Sequence, residues 1–177
     1  RLVGSEMCIR DRCMDDSYNY FSQEDPLEKV QATLRKVADK KYTALLATHQ
    51  KDYHSLYDRM RLNLGNLPEA PVAPTDSLLK GMDENTNSEQ ENQYLEMLYF
   101  QFGRYLLISS TRVGLLPPNL QGLWCNTINT PWNGDYHLNI NLQMNHWPAE
   151  VANLSELHLP LVEWTKQQVA SGERTAK

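Results

Sequence analysis

The sequence has few cysteines, no run of basic residues and no long apolar segment. Its three cysteines, Cys8, Cys13 and Cys125, show neither the paired spacing of a metal site nor the pattern of a disulfide framework. The formal charge of -5, from 22 acidic and 17 basic residues, is opposite in sign to the surface that nucleic acid requires. No apolar stretch approaches the roughly 20 residues of a membrane span. Composition therefore argues against a nucleic-acid-binding protein, a membrane-spanning segment and a metal centre.

Apolar residues recur at helical spacing in several parts of the chain. The pattern predicts a helix from Pro26 to about Ala38, with Asp25 as its N-cap, and a second helix from Thr43 to Leu64 that Gly65 ends. A third helix is predicted from Glu91 to Ser110. It is apolar around most of its circumference, which is typical of a helix buried in a larger helical assembly.

Two features interrupt this helical pattern. Arg104 lies inside the apolar third helix, and we expect it to pair with an acidic group or with a helix terminus. Residues 66–92 carry three prolines at a regular spacing, followed by an acidic run, and this composition predicts an irregular connector. From Ser155 a further amphipathic helix is predicted, ending at Ser171 and Gly172. No self-similarity occurs at periods of roughly 20 to 50 residues, which argues against a helical repeat protein.

The segment from Pro117 to Glu150 is dense in side-chain amides and indoles. Its members are Asn119, Gln121, Asn126, Asn129, Asn133, Asn139, Asn141, Gln143, Asn145, Trp124, Trp132 and Trp147. Amides both donate and accept hydrogen bonds, as a hydroxyl-rich ligand requires, and an indole offers a flat apolar face to a sugar ring. The composition of this segment therefore favours a carbohydrate ligand.

Asn139 and Asn141 are the first candidates for chemistry in this segment. In an extended chain, residues two apart point to the same side, so their two amide oxygens would hold one water. From the residues alone, ordinary loop-capping amides are the preferred interpretation. His137 would either donate to a sugar hydroxyl or tie the loop to the backbone. Trp124 and Trp132 are equally well explained as stacking platforms and as core residues.

Five neighbouring side chains are assigned structural roles. His146, next to Trp147 and Pro148, is interpreted as a packing residue. Asp135 is interpreted as a supporting group and Glu150 as a carboxylate that anchors the loop. We expect Asn119 and Gln121 to brace the loop by bonding its backbone.

Three sequences in this region carry a family resemblance: PPNLQGLW, PWNGDYHLNINLQMNHWPAE and NLSELHLPL. In this order and at these separations, they closely resemble the start of the catalytic helical barrel of glycoside hydrolase family 95, the inverting α-L-fucosidases. The resemblance covers about Thr43 to Val169. It implies an all-α fold, the first helices of an (α/α)6 barrel with preceding linker helices, truncated at both ends.

The resemblance also implies a division of the chain. Residues 1–12 match nothing in the family, and we interpret them as a translated sequencing adaptor. Residues 13–90 are predicted to form a helical linker region, and residues 91–177 the N-terminal part of the catalytic domain. Secretion or a periplasmic location is expected from the family, while the oligomeric state is not indicated.

The function implied by the resemblance is removal of terminal α-L-fucose from a fucosylated oligosaccharide or glycan, and α-1,2-linked fucose is expected. The alternatives are an α-L-galactosidase of the same family and a non-catalytic carbohydrate-binding protein. The catalytic positions carried over are Asn141, as the base that activates water, and Asn139, as its partner. His137, Trp124 and Trp132 are predicted to bind substrate, and no cofactor or metal is implied.

An amide oxygen is too weakly basic to deprotonate water unaided. In the family an Asp polarises the Asn, and a Glu serves as the general acid. Both lie further along the chain in family members, beyond the position of Lys177. The resemblance therefore implies that residues 1–177 alone are inactive.

Overall fold

The computed structural model describes residues 26–65, 73–124 and 129–177. The helices are α1 (Pro26–Ala38), α2 (Tyr42–Tyr57), α3 (Thr75–Asp83), α4 (Glu89–Ser110), α5 (Asn141–Met144), α6 (Pro148–Val151) and α7 (Leu159–Thr175), with short 3₁₀ helices at Pro131–Gly134 and Ser155–His158. Within the described ranges the only β-type pairing is an isolated bridge between Asn119 and Gly122. The all-α prediction is therefore confirmed. The predicted adaptor, the Asp25 cap and Cys125 lie outside the described residues.

The chain divides into two compact units, one ending at Ser55 and the other beginning at Leu56. The first contains α1 and most of α2. Helix α1 begins at Pro26 and ends at Ala38, as predicted. Two basic residues, Arg35 and Lys36, occupy its last turn, where they complement the partial negative charge of the helix C-terminus.

Helix α2 ends at Tyr57, so the prediction that it continues to Leu64 is wrong. The cause lies on α4, where Arg104 is almost fully buried and donates to the backbone carbonyls of Leu56, Tyr57 and Met60 at 3.3, 2.9 and 2.8 Å. Carbonyls at a helix C-terminus have no partner within the helix, and a guanidinium supplies several donors at once. A helix terminus, one of the two partners expected for Arg104, is therefore observed.

Helix α3 lies inside the segment predicted to be an irregular connector, and that prediction is wrong for residues 75–83. Pro74 stands immediately before the helix, where proline is tolerated. Leu78 is buried, and the Asn87 side-chain amide donates to its carbonyl at 2.8 Å. Tertiary contacts thus hold a helix that local composition disfavours.

Helix α4 confirms the predicted third helix and starts two residues earlier. A capping box fixes its start, because the Ser88 hydroxyl accepts from the Glu91 amide while the Glu91 carboxylate accepts from the Ser88 amide. Leu95, Leu107 and Ile108 are buried, whereas Tyr99 is 82% exposed. The expectation of burial therefore holds for one face of the helix in this structure.

The amide-rich segment contributes to a small hydrophobic core. It consists of Leu142, Leu161 and Trp164, with Leu116 and Tyr136 packed against it. The Tyr136 ring lies 5.0 Å from the Trp164 ring. Helix α7, which supplies Leu161 and Trp164, runs to Thr175, so the predicted end at Ser171 and Gly172 is wrong. A glycine inside a helix costs only about 1 kcal/mol relative to alanine, which does not suffice to end it.

None of the helices in the described parts of the chain is long and apolar enough to cross a membrane. Over the same residues, no group of three or more His, Cys, Asp or Glu side chains is arranged to hold a metal ion.

Candidate functional site

The loop that follows α4 is braced by its own amides, as predicted. The Asn119 side-chain oxygen accepts from the Gln121 backbone amide at 2.8 Å. The Gln121 side chain donates to the Pro131 carbonyl at 3.3 Å, which joins this loop to the 3₁₀ helix Pro131–Gly134. The side chains of Asn119 and Gln121 are therefore engaged in holding the loop.

Two further side chains brace the loop, and neither contact was predicted from the sequence. The Tyr136 hydroxyl donates to the Pro117 carbonyl at 2.7 Å, and the Asn145 amide donates to the Asn119 carbonyl at 3.0 Å. A periodic signal was available, since Leu142, His146 and Ala149 are buried at helical spacing and Asn145 adjoins that face. Hydrogen bonds therefore join the segments 117–124 and 131–145 into one unit, which we call the frame.

The 3₁₀ helix Pro131–Gly134 has an unusual backbone. Trp132, Asn133 and Gly134 all have positive φ, at 59°, 55° and 65°. Asparagine and glycine tolerate this region, but a tryptophan there is uncommon. The Trp132 side chain remains 58% exposed, so the conformation presents an indole to solvent at the edge of the frame.

His137 lies against this indole. The two rings meet edge to face, with centroids 4.6 Å apart and planes at 82°. The His137 Nε2 atom is buried and has no hydrogen-bond partner among the described residues. Buried polar atoms are nearly always hydrogen-bonded, so a nitrogen in this state beside an exposed indole is a distinctive feature of the site.

The backbone between Asn139 and Asn141 turns at Ile140 and is not extended, so strand geometry does not place the two amides on the same side. Ile140 has φ 88° and ψ -34°, and α5 begins at Asn141. Positive φ in a β-branched residue is a genuine outlier and costs about 1–3 kcal/mol. The Leu142 amide donates to the His137 carbonyl at 2.9 Å, which closes the turn.

The turn places the two predicted catalytic amides differently from each other. Asn139 is exposed in the turn, whereas Asn141 is half-buried at the first position of α5. The carbonyl of Asn141 accepts from the Asn145 amide at 3.3 Å. Leu142, the next residue, is fully buried in the supporting core, and this anchors the turn. The catalytic roles of Asn139 and Asn141 stay predictions.

Trp124, the third predicted substrate-binding residue, is half-buried and packs against α4. Its ring centroid lies 6.4 Å from that of Tyr105. Gly122 makes this packing possible, because a Cβ at that residue would meet the Trp124 ring at 2.5 Å and its φ is +66°. Trp124 is thus more enclosed than Trp132, and its role in binding stays a prediction.

The carboxylates of the segment differ in their surroundings. Glu150 accepts from the Ser155 hydroxyl at 2.5 Å and lies 3.2 Å from His158 Nδ1. These hydrogen bonds, first that of Ser155 and then that of His158, lower the pKa of Glu150. A general acid near neutral pH needs a raised pKa, so Glu150 fits the anchoring role predicted for it. Asp135 is exposed at the end of the 3₁₀ helix.

His146 is buried beneath the site, as its predicted packing role requires. Its Nδ1 lies 3.1 Å from the Leu142 carbonyl, and since a carbonyl only accepts, Nδ1 carries the proton. The Nε2 atom is buried without a partner among the described residues, and the ring stacks on His158 at 6.0 Å. Burial, opposed by the Leu142 hydrogen bond, lowers the pKa of His146.

We expect this histidine to make stability depend on pH below about 6.5. Because its pKa is lower in the folded state, the unfolded chain takes up the proton first as pH falls. The contribution is complete above the unfolded pKa and is lost as pH falls through the folded pKa, at no more than about 1.4 kcal/mol per pH unit for one proton.

The check is thermal unfolding at pH 7.5 and 5.5 of protein expressed from the complete reading frame. His146→Phe should reduce the difference between the two midpoints, whereas His54→Asn, at an exposed position, should leave it unchanged. An unaltered difference in the His146 variant would show that another group carries the pH dependence.

Residues 41–177 match the sequence model of the glycosyl hydrolase family 95 catalytic domain. The chain belongs to glycosyl hydrolase family 95. The match covers all the elements from α2 onward, including the braced loop and the turn at Ile140. The family resemblance of the three sequence segments is therefore confirmed.

Curated relatives of this family 95 chain occur in fungi and plants. It is 45% identical to "Probable alpha-fucosidase A" of Aspergillus niger over 82% of this chain and 17% of that protein. It is 38% identical to the protein of the same name from Aspergillus oryzae, over 89% and 22%, and 37% identical to "Alpha-L-fucosidase 2" of Arabidopsis thaliana, over 88% and 18%. The chain thus spans about a fifth of the length of these relatives.

Proposed function

We propose that this chain is part of an inverting α-L-fucosidase that removes terminal, α-1,2-linked fucose from an oligosaccharide or glycan. The observation that carries the proposal is the unbroken family 95 match across residues 41–177, which includes the Asn-Ile-Asn sequence at 139–141. The three relatives named above support it, since each carries α-fucosidase in its name.

The geometry around His137 supports a sugar ligand. A sugar hydroxyl both donates and accepts, so it suits the buried Nε2 atom in either tautomer of the imidazole. The exposed Trp132 indole, in edge-to-face contact with the same ring, offers an apolar face to the C–H side of a pyranose. We assign substrate binding to His137 and Trp132, with Trp124 closing the side towards α4.

Inversion requires two groups on opposite faces of the glycosidic bond, one to protonate the leaving oxygen and one to activate water. We assign the second task to Asn141, with Asn139 as the other holder of the water. Asn141 is suited to a fixed position, because it is half-buried and the next residue is locked in the core. The turn between the two amides allows them to approach one water from different directions.

The proposal assigns two further groups to parts of the enzyme outside residues 1–177. They are an Asp that polarises Asn141 and a Glu that acts as general acid. Glu150 is a poor candidate for the acid, because its hydrogen bonds from Ser155 and His158 keep its pKa low. We therefore propose that residues 1–177 are a piece of a longer enzyme and are inactive alone. The coverage of about a fifth of each relative supports this view.

Proton NMR of the released sugar tests the proposal. Protein expressed from the complete reading frame is incubated with 2′-fucosyllactose, and we expect β-L-fucose to appear first and then to mutarotate. The linkage is tested with 3-fucosyllactose as the matched substrate, which we expect to react at least about tenfold more slowly, a difference of about 1.4 kcal/mol in the barrier. The isolated 177-residue chain should release no fucose.

Each other outcome has a definite meaning. Early α-L-fucose would contradict inversion, and equal rates on both trisaccharides would contradict the α-1,2 preference. An α-L-galactoside is tested as well, because an apolar pocket rejects an added hydroxyl only weakly. Release of L-galactose faster than release of L-fucose would favour the galactosidase. Saturable binding of the trisaccharide without release would favour a carbohydrate-binding protein.

A further inference from the structure

Backbone strain among the described residues is concentrated in the candidate site. Five non-glycine residues have positive φ: Asn85, Trp132, Asn133, Ile140 and Asn153. Three of these are asparagines, which tolerate the left-handed region. The two that do not, Trp132 and Ile140, lie on either side of His137. Of these two, Ile140 is β-branched and stands between the two predicted catalytic amides.

Burial does not explain an isoleucine at this position. Its side chain is 49% exposed, so it contributes little to the core. A glycine would adopt φ 88° without strain. The cost of this conformation is therefore not offset by packing of the strained residue itself.

Hydrogen bonds on both sides force the conformation. The Leu142 amide donates to the His137 carbonyl at 2.9 Å, and the Met144 amide donates to the Ile140 carbonyl at 2.8 Å. The Gln143 side chain donates to the Leu138 carbonyl at 2.5 Å. Leu142, with no exposed surface, holds the end of the turn in the core. The surrounding structure thus over-determines a geometry that Ile140 alone would not choose, as is typical of strain at functional sites.

We infer that Ile140 is a positioning residue, whose restricted backbone fixes the orientation of the Asn139 and Asn141 carboxamides relative to each other. The hydrogen bonds select positive φ, and within that region the branched Cβ of isoleucine leaves a much narrower range of φ and ψ than glycine has, so the two amides move little. Glycine at position 140 would allow the backbone of this turn a much wider range of conformations. This inference rests on the proposed function and adds to it a residue that limits the movement of the two amides.

The test compares Ile140→Gly with wild type in protein from the complete reading frame, on the substrate that wild type cleaves. We expect kcat to fall at least about tenfold with KM within about twofold, because the change loosens the reacting groups and leaves the binding residues in place. The thermal midpoint should stay within about 2 °C, since relief of strain offsets the greater freedom of the unfolded chain. Ile140→Val keeps a β-branched residue at this position and should keep kcat at the wild-type value.

Asn153→Gly is the matched control. Asn153 has φ 56° and lies outside the site, in the turn after α6, so introducing glycine at this other position of positive φ should leave kcat unaltered. A second comparison places Ile140→Gly in an Asn139→Ala background. If Ile140 acts through the amides, its effect there should be much smaller than in wild type.

The outcomes separate this inference from the proposed function. An active wild type whose Ile140→Gly variant keeps kcat within twofold would overturn the inference alone. A rise in KM at constant kcat would also overturn it, since Ile140 would then be a substrate contact. A fall in kcat that adds fully to that of Asn139→Ala would show a general loosening of the site. No sugar release by wild type would instead overturn the proposed function.

Discussion

Asn141→Ala is expected to lower kcat on the fucosylated substrate by about 10²- to 10⁴-fold, the range typical of general acid–base catalysis. The amide is proposed to activate water, an interaction made in the transition state, so kcat and kcat/KM should fall together. Stability should change little, because Asn141 contributes its backbone carbonyl to α5 and its side chain is only half-buried. Initial rates and the thermal midpoint, measured on protein from the complete reading frame, check both parts.

Asn63→Ala is the control for this substitution, since Asn63 is exposed and lies outside the site. It should leave kcat and KM unchanged. A value of kcat for Asn141→Ala within tenfold of wild type would contradict the assignment of Asn141 as the base. A rise in KM alone would reassign the residue to substrate binding.

Arg104→Met is expected to destabilise the second unit by about 3 kcal/mol or more. The substitution removes a charged donor from three backbone carbonyls at the end of α2 and leaves them in a largely buried position. It also removes the packing of the guanidinium over the Tyr57 ring, at 5.1 Å. Methionine keeps much of the volume, so the loss reports mainly on the hydrogen bonds. Chemical denaturation followed by tryptophan fluorescence measures it.

Two variants bracket this result. Arg61→Met, at an exposed position, should change stability by no more than about 0.5 kcal/mol. Arg104→Lys should fall between the two, because an ammonium cannot span three carbonyls as a planar guanidinium does. If Arg104→Met behaves like Arg61→Met, the helix end is held by other contacts.

The helices that sequence predicted well are those with a strong local signal at their first turn. Helix α1 has proline at its first position, and α4 has the Ser88 capping box, so local chemistry fixes where each begins. The end of α2 was misplaced because its apolar pattern continues past Tyr57. A residue 47 positions away decides that end, through the hydrogen bond from Arg104.

The turn at Ile140 in the candidate site could not be predicted from the sequence. The composition of the segment between Pro117 and Glu150, rich in amides and indoles, favours a carbohydrate ligand. The reversal at Ile140 opposes the preference of a β-branched residue, so no propensity argument reaches it. The same holds for α3, where a buried Leu78 outweighs the composition of its surroundings. In each case tertiary contacts override local preference.

The bonds that brace the site join residues close together in the sequence. The Gln121, Tyr136 and Asn145 side chains reach carbonyls 10, 19 and 26 residues away. The entropy of loop closure grows slowly with length, and contacts at such short separations form early in folding. We therefore expect this frame to assemble on the ribosome as soon as the segment up to α7 has left the exit tunnel.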